Sequence, residues 1–421
     1  MINQSFNRWL RPAVLALIVG TGFFLRLPPH AFVSSAALHV LAPLHPQPGF
    51  TRVGFDEGLY RNYVNALIHG GISSYPDVVD GYIALQQKLA GSILPPVRFL
   101  YIFSAYLWHL LFGSEASSAL HDIASFFSML TLSVATMFAW RLKGWEWALG
   151  VAALMAFAPT QIHMSQHALI DGFFTFWALL TIWLLWENLR APHQPSLLIF
   201  YTICLTLMVL TKENSFFVFV AILTLLVANR WLGFGSVTRE VLVCTFVGPL
   251  LGVVALVFLA GGIDTLVTVY RLSVSKNYTL PYAILTGDGP WYRYFVDLIL
   301  VSPIIFLLAV GRVFQLERTQ VSEWYLTLFV CASFGVMCNL KYGMNLRYAN
   351  MWDMPLRFLT FSQVACFASY VRRYRVLFLA AAIAAICAYE WRQYVILFVQ
   401  HPLYELVPEG LLRALQILKS P

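Results

Sequence analysis

Residues 241–260 read VLVCTFVGPLLGVVALVFLA, twenty consecutive residues without one charge. At about 1.5 Å of rise per residue, a helix of that length is about 30 Å long, the thickness of a bilayer's hydrocarbon core. Scanning outward with this template gives eleven windows: 12–28, 123–141, 147–163, 169–187, 197–211, 215–229, 240–260, 297–312, 322–338, 355–371 and 375–390. The fifth and sixth meet at Thr211–Asn214, which predicts a tight helical hairpin. The apolar residues come in blocks rather than in alternation, which excludes an outer-membrane barrel. Across all 421 residues, 59% are hydrophobic and 11% charged, with mean hydropathy +0.71. Soluble chains carry roughly 25% charge and about 45–50% apolar residues. A water-soluble enzyme, a disordered chain and a nucleic-acid binder are thereby excluded, and the fold class is an all-α polytopic membrane protein.

Orientation follows from Lys and Arg, which accumulate on the cytoplasmic side. With the N-terminus inside, the inner segments are 1–11, 141–147, 187–196, 229–240, 312–323 and 371–375. They hold twelve bases, Arg8 and Arg11 among them, against five acids, so the whole net charge of +7 lies there. The run Ala13–Leu25 behind Arg8 and Arg11 also has the form of a signal peptide, ending near Ser34–Ala37. A retained signal anchor is the reading adopted, because the later topology needs an anchored first span. The six cysteines sit in or beside apolar runs with no CxxC pair, and read as small core residues.

The outer segments are long: 29–122, 261–296 and 391–421. The first holds two amphipathic stretches, Phe55–Ile68 and Pro96–Phe112, the latter suited to a helix lying in the interface. Gly70–Gly71 and Ser73–Asp80 between them read as turns. No internal repeat is visible, which weighs against an inverted-repeat transporter.

Ionisable residues crowd the outer edge. Asp56 and Glu57 are adjacent, about 100° apart on a helix, so one can face a cavity while the other caps the helix; a plain acidic N-cap is the alternative. Asp171 opens the fourth span, as an interfacial cap or a functional acid. Lys212 and Glu213 sit at the outer hairpin tip, as a neutral turn pair or with Lys212 placed for a lipid phosphate. Lys341, Arg347 and Tyr348 form an outer basic cluster against the inner bias, suited to an anion or to snorkelling. His163 and His167 stand four apart, the spacing of a metal pair, but Pro159 and the absence of HExxH favour hydrogen-bonding roles. No P-loop, GxSxG, Rossmann or kinase pattern is present.

This arrangement resembles the GT-C membrane glycosyltransferases, nearest the protein-O-mannosyltransferase-like family that includes the lipid A aminoarabinose transferases. Phe55-Asp56-Glu57-Gly58-Leu59-Tyr60 resembles the acidic motif of the family's first external loop. Pro96–Leu111, Phe112-Gly113-Ser114-Glu115 and the span ending Trp140–Gly144 resemble its juxtamembrane helix and second span. Ala158-Pro159 through Ser165–Asp171 resembles its second acidic site. Leu210-Thr211-Lys212 and Asn345-Leu346-Arg347-Tyr348 resemble its phosphate-side elements, and Trp291–Tyr294 an aromatic run of the group. Gln166 stands where many relatives have Arg, and Glu213 where they often have Gly.

The resemblance implies a common module over 1–260 and a variable one over 261–421 with a short outer tail. It implies inverting transfer of a sugar from a polyprenyl-phosphate donor to a lipid, polysaccharide or protein hydroxyl, on the periplasmic face of a bacterial inner membrane. Asp56 is expected as base, Glu57 to position the loop and Asp171 to orient acceptor or base. Lys212, Arg347, Tyr348 and Lys341 are expected at the donor phosphate, and Tyr60, His167, Trp291 and Tyr292 at sugar or acceptor. No cofactor or obligatory metal is expected, since a single phosphate needs less charge neutralisation than a diphosphate. The alternatives are a ligase using a diphosphate-linked donor, a lipid-linked-sugar flippase or transporter, and a catalytically inactive partner protein.

Overall fold

The computed structural model describes residues 2–341 and 343–419, with side chains from Leu10 onward, so Arg8's side chain lies outside the described residues. Each of the eleven predicted windows falls on a helix or a broken helix. Among the described residues, five helices are long and apolar enough to cross a bilayer by themselves: Ala116–Lys143, Ile170–Arg190, Ser215–Leu232, Arg239–Leu259 and the run Arg372–Gln400. Trp145–Ala156 and Pro159–Gln166 form a sixth candidate, bent by 56°. Pro159 has no N–H to continue the helix, which frees the carbonyls of the preceding turn. Arg26, buried at the end of the helix Ile2–Arg26, donates to two of them, Met155 O at 2.7 Å and Ala156 O at 3.1 Å. The first helix is thereby tied into the bundle.

Helix Arg239–Leu259 packs on Pro195–Thr211 through Gly248 and Gly252, where an added Cβ would lie 2.9 Å from the carbonyls of Thr202 and Thr206. In an apolar solvent this close backbone approach, with Thr206 donating to Gly248 O at 2.9 Å, supplies the association that the hydrophobic effect supplies in water.

Among the described residues, the long-range ion pairs join charges that the sequence placed on the same side. Arg141 pairs with Glu187, Lys143 and Arg312 with Glu323, and Arg375 with Glu146 at one end. Arg98–Glu213, Lys212–Asp171 and Arg347–Asp56 gather at the other. The alternation of loops therefore holds in three dimensions.

The segment 29–122 forms its own apolar cluster against the bundle. Both amphipathic stretches are helices, Phe55–Gly70 and Phe99–Phe112. The expected turn at Ser73–Asp80 is instead the start of a helix, Tyr75–Lys88. Pro76 sits in its first turn, where the missing N–H has no intrahelical partner to lose. Tyr75, Val79 and Tyr82, three to four apart, are its buried face. The tail is no simple appendage either. After helix Arg375–Tyr394 the chain folds back, and its segment 402–407 leads into helix Pro408–Ala414.

Candidate active site

The site is built around the N-terminus of helix Phe55–Gly70. Glu57, in the first turn, caps this end of the helix by accepting from Gly54 N at 2.5 Å. Its other oxygen accepts from Ala168 N at 2.8 Å and from His167 Nδ1 at 3.2 Å. Burial alone would raise its pKa, but the hydrogen bonds from His167 and Gly54 and the nearby His121 outweigh it and hold the carboxyl down at about 2. Glu57 is thus an ionised clamp between the outer loop and the Gln166–Leu169 connection. Tyr404 from the tail presses on the same turn: a Cβ on Gly54 would lie 2.2 Å from its ring.

Asp56, one residue earlier, points the other way. Its side chain stays 18% exposed, and Oδ2 accepts from Arg347 Nη2 at 3.0 Å. Arg347 is buried in the 3-10 segment Leu346–Trp352, with Glu405 Oε1 3.4 Å from Nη1 and Asp171 Oδ2 3.8 Å from Nε. Neither Nη1 nor Nε has a hydrogen-bond partner. Lys212, extended between Pro195–Thr211 and Ser215–Leu232, reaches Asp171 with its ammonium and lies 4.0 Å over the Tyr348 ring.

Asp56, Lys212, Arg347, Tyr348 and Lys341 line one cavity of about 400 Å³, inside the range of roughly 300–1,000 Å³ typical of ligand clefts. Its wall also carries Arg98, Glu213 and Glu405. Three carboxylates against four cations give an entering anion a net positive lining. Phe217, Met337 and Leu340 make part of the wall apolar.

The structure places the expected site residues differently from one another. Asp171 does not line the cavity; it stands behind Lys212 and Arg347, paired with the first and 3.8 Å from the second. Tyr60 is fully buried and its hydroxyl accepts from Arg98 Nη1 at 2.7 Å, so no sugar can stack on it. Trp291 and Tyr292 are 58% and 47% exposed outside the cavity, with Trp291 packed against Phe295 and Phe334. His167 lies on the far side of the Gly54–Glu57 turn. His163 is a hydrogen-bonding residue, its Nε2 3.0 Å from Tyr404 O and its ring stacked on Phe398. Gln166 bonds the carbonyls of Leu25 and Pro46 and the Tyr394 hydroxyl.

Three contributors escaped the sequence reading. Arg98 forks onto Glu213, with Nε 3.1 Å from Oε2, and so gives Glu213 a partner from the outer loop. Glu405 accepts from Asn345 Nδ2 at 2.7 Å beside Arg347, and Tyr404 covers Gly54. The one signal for Arg98 was a charge opening an otherwise apolar stretch; the two tail residues had none.

Residues 117–263 match the family described as dolichyl-phosphate-mannose-protein mannosyltransferase. Over 98% of its length, and 76% of the other chain's, the protein is similar to ArnT from Cupriavidus metallidurans in the apo state, with TM-score 0.53 at 13% identity. The chain shares the fold of that enzyme. ArnT bound to undecaprenyl phosphate gives TM-score 0.52 at 14% identity, covering 92% of this chain and 75% of that one. The oligosaccharyltransferase AglB from Archaeoglobus fulgidus, in complex with an inhibitory peptide and a dolichol-phosphate, gives 0.60 at 13% identity over 92% of this chain and 56% of its own. At such identities the likeness is one of fold. No curated protein matches by sequence. The family match spans Asp171 and Lys212, whereas Asp56, Arg98, Arg347 and Glu405 lie outside it.

Proposed function

We propose that the protein transfers a sugar from a polyprenyl-phosphate donor to an acceptor hydroxyl, in the cavity of Asp56, Lys212 and Arg347 and on the extracytoplasmic face. The observation that carries this reading is the buried Arg347 guanidinium on the cavity wall, whose Nη1 and Nε stand within ion-pair distance of Glu405 and Asp171 but make no hydrogen bond, beside a partly open carboxylate, Asp56. A phosphate oxygen satisfies those N–H groups, and the apolar wall at Phe217, Met337 and Leu340 suits the first prenyl units.

The chemistry follows from the charges. As the acceptor oxygen attacks the anomeric carbon, its proton passes to Asp56. The bond from that carbon to the phosphate oxygen breaks on the opposite side, so the configuration inverts. The leaving lipid phosphate takes the electron pair, and Arg347 and Lys212 hold the developing charge. Asp171 and Glu57 act through others, the first fixing the cations and the second the Asp56 turn. Tyr348 holds Lys212 in place. Two side-chain cations already face one phosphate, so the reading includes no obligatory metal, and a divalent chelator is expected to leave the initial rate unchanged.

The fold's neighbours support the donor class: one binds undecaprenyl phosphate and another dolichol-phosphate. The test is transfer by purified protein with radiolabelled polyprenyl-phosphate sugars and membrane extract. Asp56→Asn is expected to lower transfer by about 10²–10⁴-fold with donor binding retained. Equal rates in both proteins would remove Asp56 from the mechanism. Lipid-sugar movement in vesicles without transfer would support the flippase instead.

A further inference from the structure

The wall of the Asp56 cavity carries a fixed cation that the transfer reading leaves unused. Arg98, at the N-cap of helix Phe99–Phe112, lines the same cavity as Lys212 and Arg347. Its charge acts on both Lys212 and Asp171, so it stands beside the cations given to the lipid phosphate. All three of its guanidinium nitrogens are engaged within the chain. Nη1 donates to the Tyr60 hydroxyl at 2.7 Å, Nε to Glu213 Oε2 at 3.1 Å, and Nη2 to Glu213 Oε1.

Glu213 follows Lys212 directly in the hairpin turn and lines the cavity with it. Its side chain is 42% exposed, whereas that of Arg98 is 8% exposed. The acid, not the base, is therefore the part of the pair that a ligand meets. A carboxylate and a phosphate present the same two-oxygen edge to a guanidinium fork. Glu213 thus fills the place where Arg98 would otherwise take an anion from the cavity.

We infer that Glu213 restricts this cavity to a single phosphate, its carboxylate occupying on Arg98 the position that the second phosphate of a diphosphate-linked lipid would take. Lys212 and Arg347 serve the first phosphate. A second phosphate adds negative charge and needs a further donor set. Lys341, also on the wall, is exposed and offers a point charge rather than a fork. Arg98 is the buried fork in the right place, and Glu213 masks it. A second phosphate then meets a like charge where it needs a cation, and such a repulsive group discriminates without touching the first phosphate. The inference rests on the transfer reading for that first phosphate; the masking of Arg98 does not.

Binding of farnesyl phosphate and farnesyl diphosphate to purified full-length protein in detergent, with a divalent chelator present, tests this. Wild type is expected to bind the monophosphate at least as tightly as the diphosphate, despite the extra charge of the latter. Glu213→Gln keeps the shape of the side chain and one acceptor for Arg98, but removes the charge. It should tighten the diphosphate about tenfold relative to the monophosphate. Arg98→Gln leaves Glu213 bare in the wall and should shift the ratio the other way; because that acid is already partly exposed, no buried charge is stranded. The double variant, neutral again at this point, should return the ratio to the wild-type value. A ratio unchanged in both single variants makes the pair a latch between loop and bundle and overturns the inference alone, with the cavity reading intact. An equal gain in Glu405→Gln, which unmasks Arg347 instead, reduces the effect to net charge and overturns it too. No binding of either lipid to wild type overturns the cavity as a lipid-phosphate site, and this inference with it.

Discussion

Removing Lys212 separates two things that the structure fuses, holding the bundle together and holding a phosphate. Lys212 and Asp171 are 2% and 5% exposed and form one ion pair. Lys212→Met keeps the volume but strands Asp171, whose nearest remaining cation is Arg347 Nε at 3.8 Å. Breaking one side of a buried pair costs about 3–5 kcal/mol, because the partner stays charged and dry. Transfer should fall with it by about 10²–10³-fold, the effect of deleting one group that stabilises a developing anion. Asp171→Asn added to Lys212→Met removes the stranded charge. Stability should then return toward wild type, since replacing both members of a buried pair is often neutral. Transfer should not return, since the phosphate still lacks its ammonium. The assay pairs thermal unfolding of the purified protein in detergent with initial rates on a radiolabelled polyprenyl-phosphate sugar. A double variant that transfers at the wild-type rate would refute the placement of Lys212 at the phosphate. A stable Lys212→Met single variant would refute the argument from the buried pair.

Other outcomes follow from the same geometry. Glu57 is held at about 2 against an ordinary 4.5, so its contribution of about 3 kcal/mol is full above pH 4.5 and is lost as pH falls through about 2. The gap in unfolding temperature between wild type and Glu57→Gln should therefore shrink from neutral pH to about pH 3, and a gap that widens would contradict it. Glu405→Gln removes a carboxylate 3.4 Å from the Arg347 fork; the donor KM should fall roughly fivefold, or about 1 kcal/mol, with kcat little changed. A rise in donor KM would show that Glu405 helps to bind the donor rather than competing for Arg347.

Much of the architecture was legible in the chain itself, because a bilayer leaves a hydrophobic segment few options. Every backbone polar group must be paired within the segment, so a block such as 241–260 is a helix before any neighbour is known. The same holds for the sorting of charges: Arg141, Lys143 and Arg312 find Glu187 and Glu323 because crossing a bilayer is costly for all of them. Asp56 and Glu57 also had to diverge, since neighbours on a helix point about 100° apart. What each carboxylate meets there was decided elsewhere. Glu57 finds His167 across 110 residues and Asp56 finds Arg347 across 291. Those partners are set by packing of the loop on the bundle, and no local pattern carries that information.

The same distinction applies to the aromatics and the tail. Tyr60 and Trp291 had the right chemistry to stack on sugars, but whether an aromatic is buried or exposed depends on which helices cover it. Glu405 and Tyr404 sit in a polar-and-apolar tail with no motif, and they matter because the chain folds back onto Gly54 and Arg347. The sequence by itself determined that this is a helical membrane protein, which loops share a side and which short acidic and basic motifs gather at one end. Only the tertiary structure decided that one helix N-terminus would face two ways, with Asp56 toward the cations and Glu57 holding His167. Hydropathy acts residue by residue along the chain, whereas a cavity exists only where distant segments fail to fill the space between them.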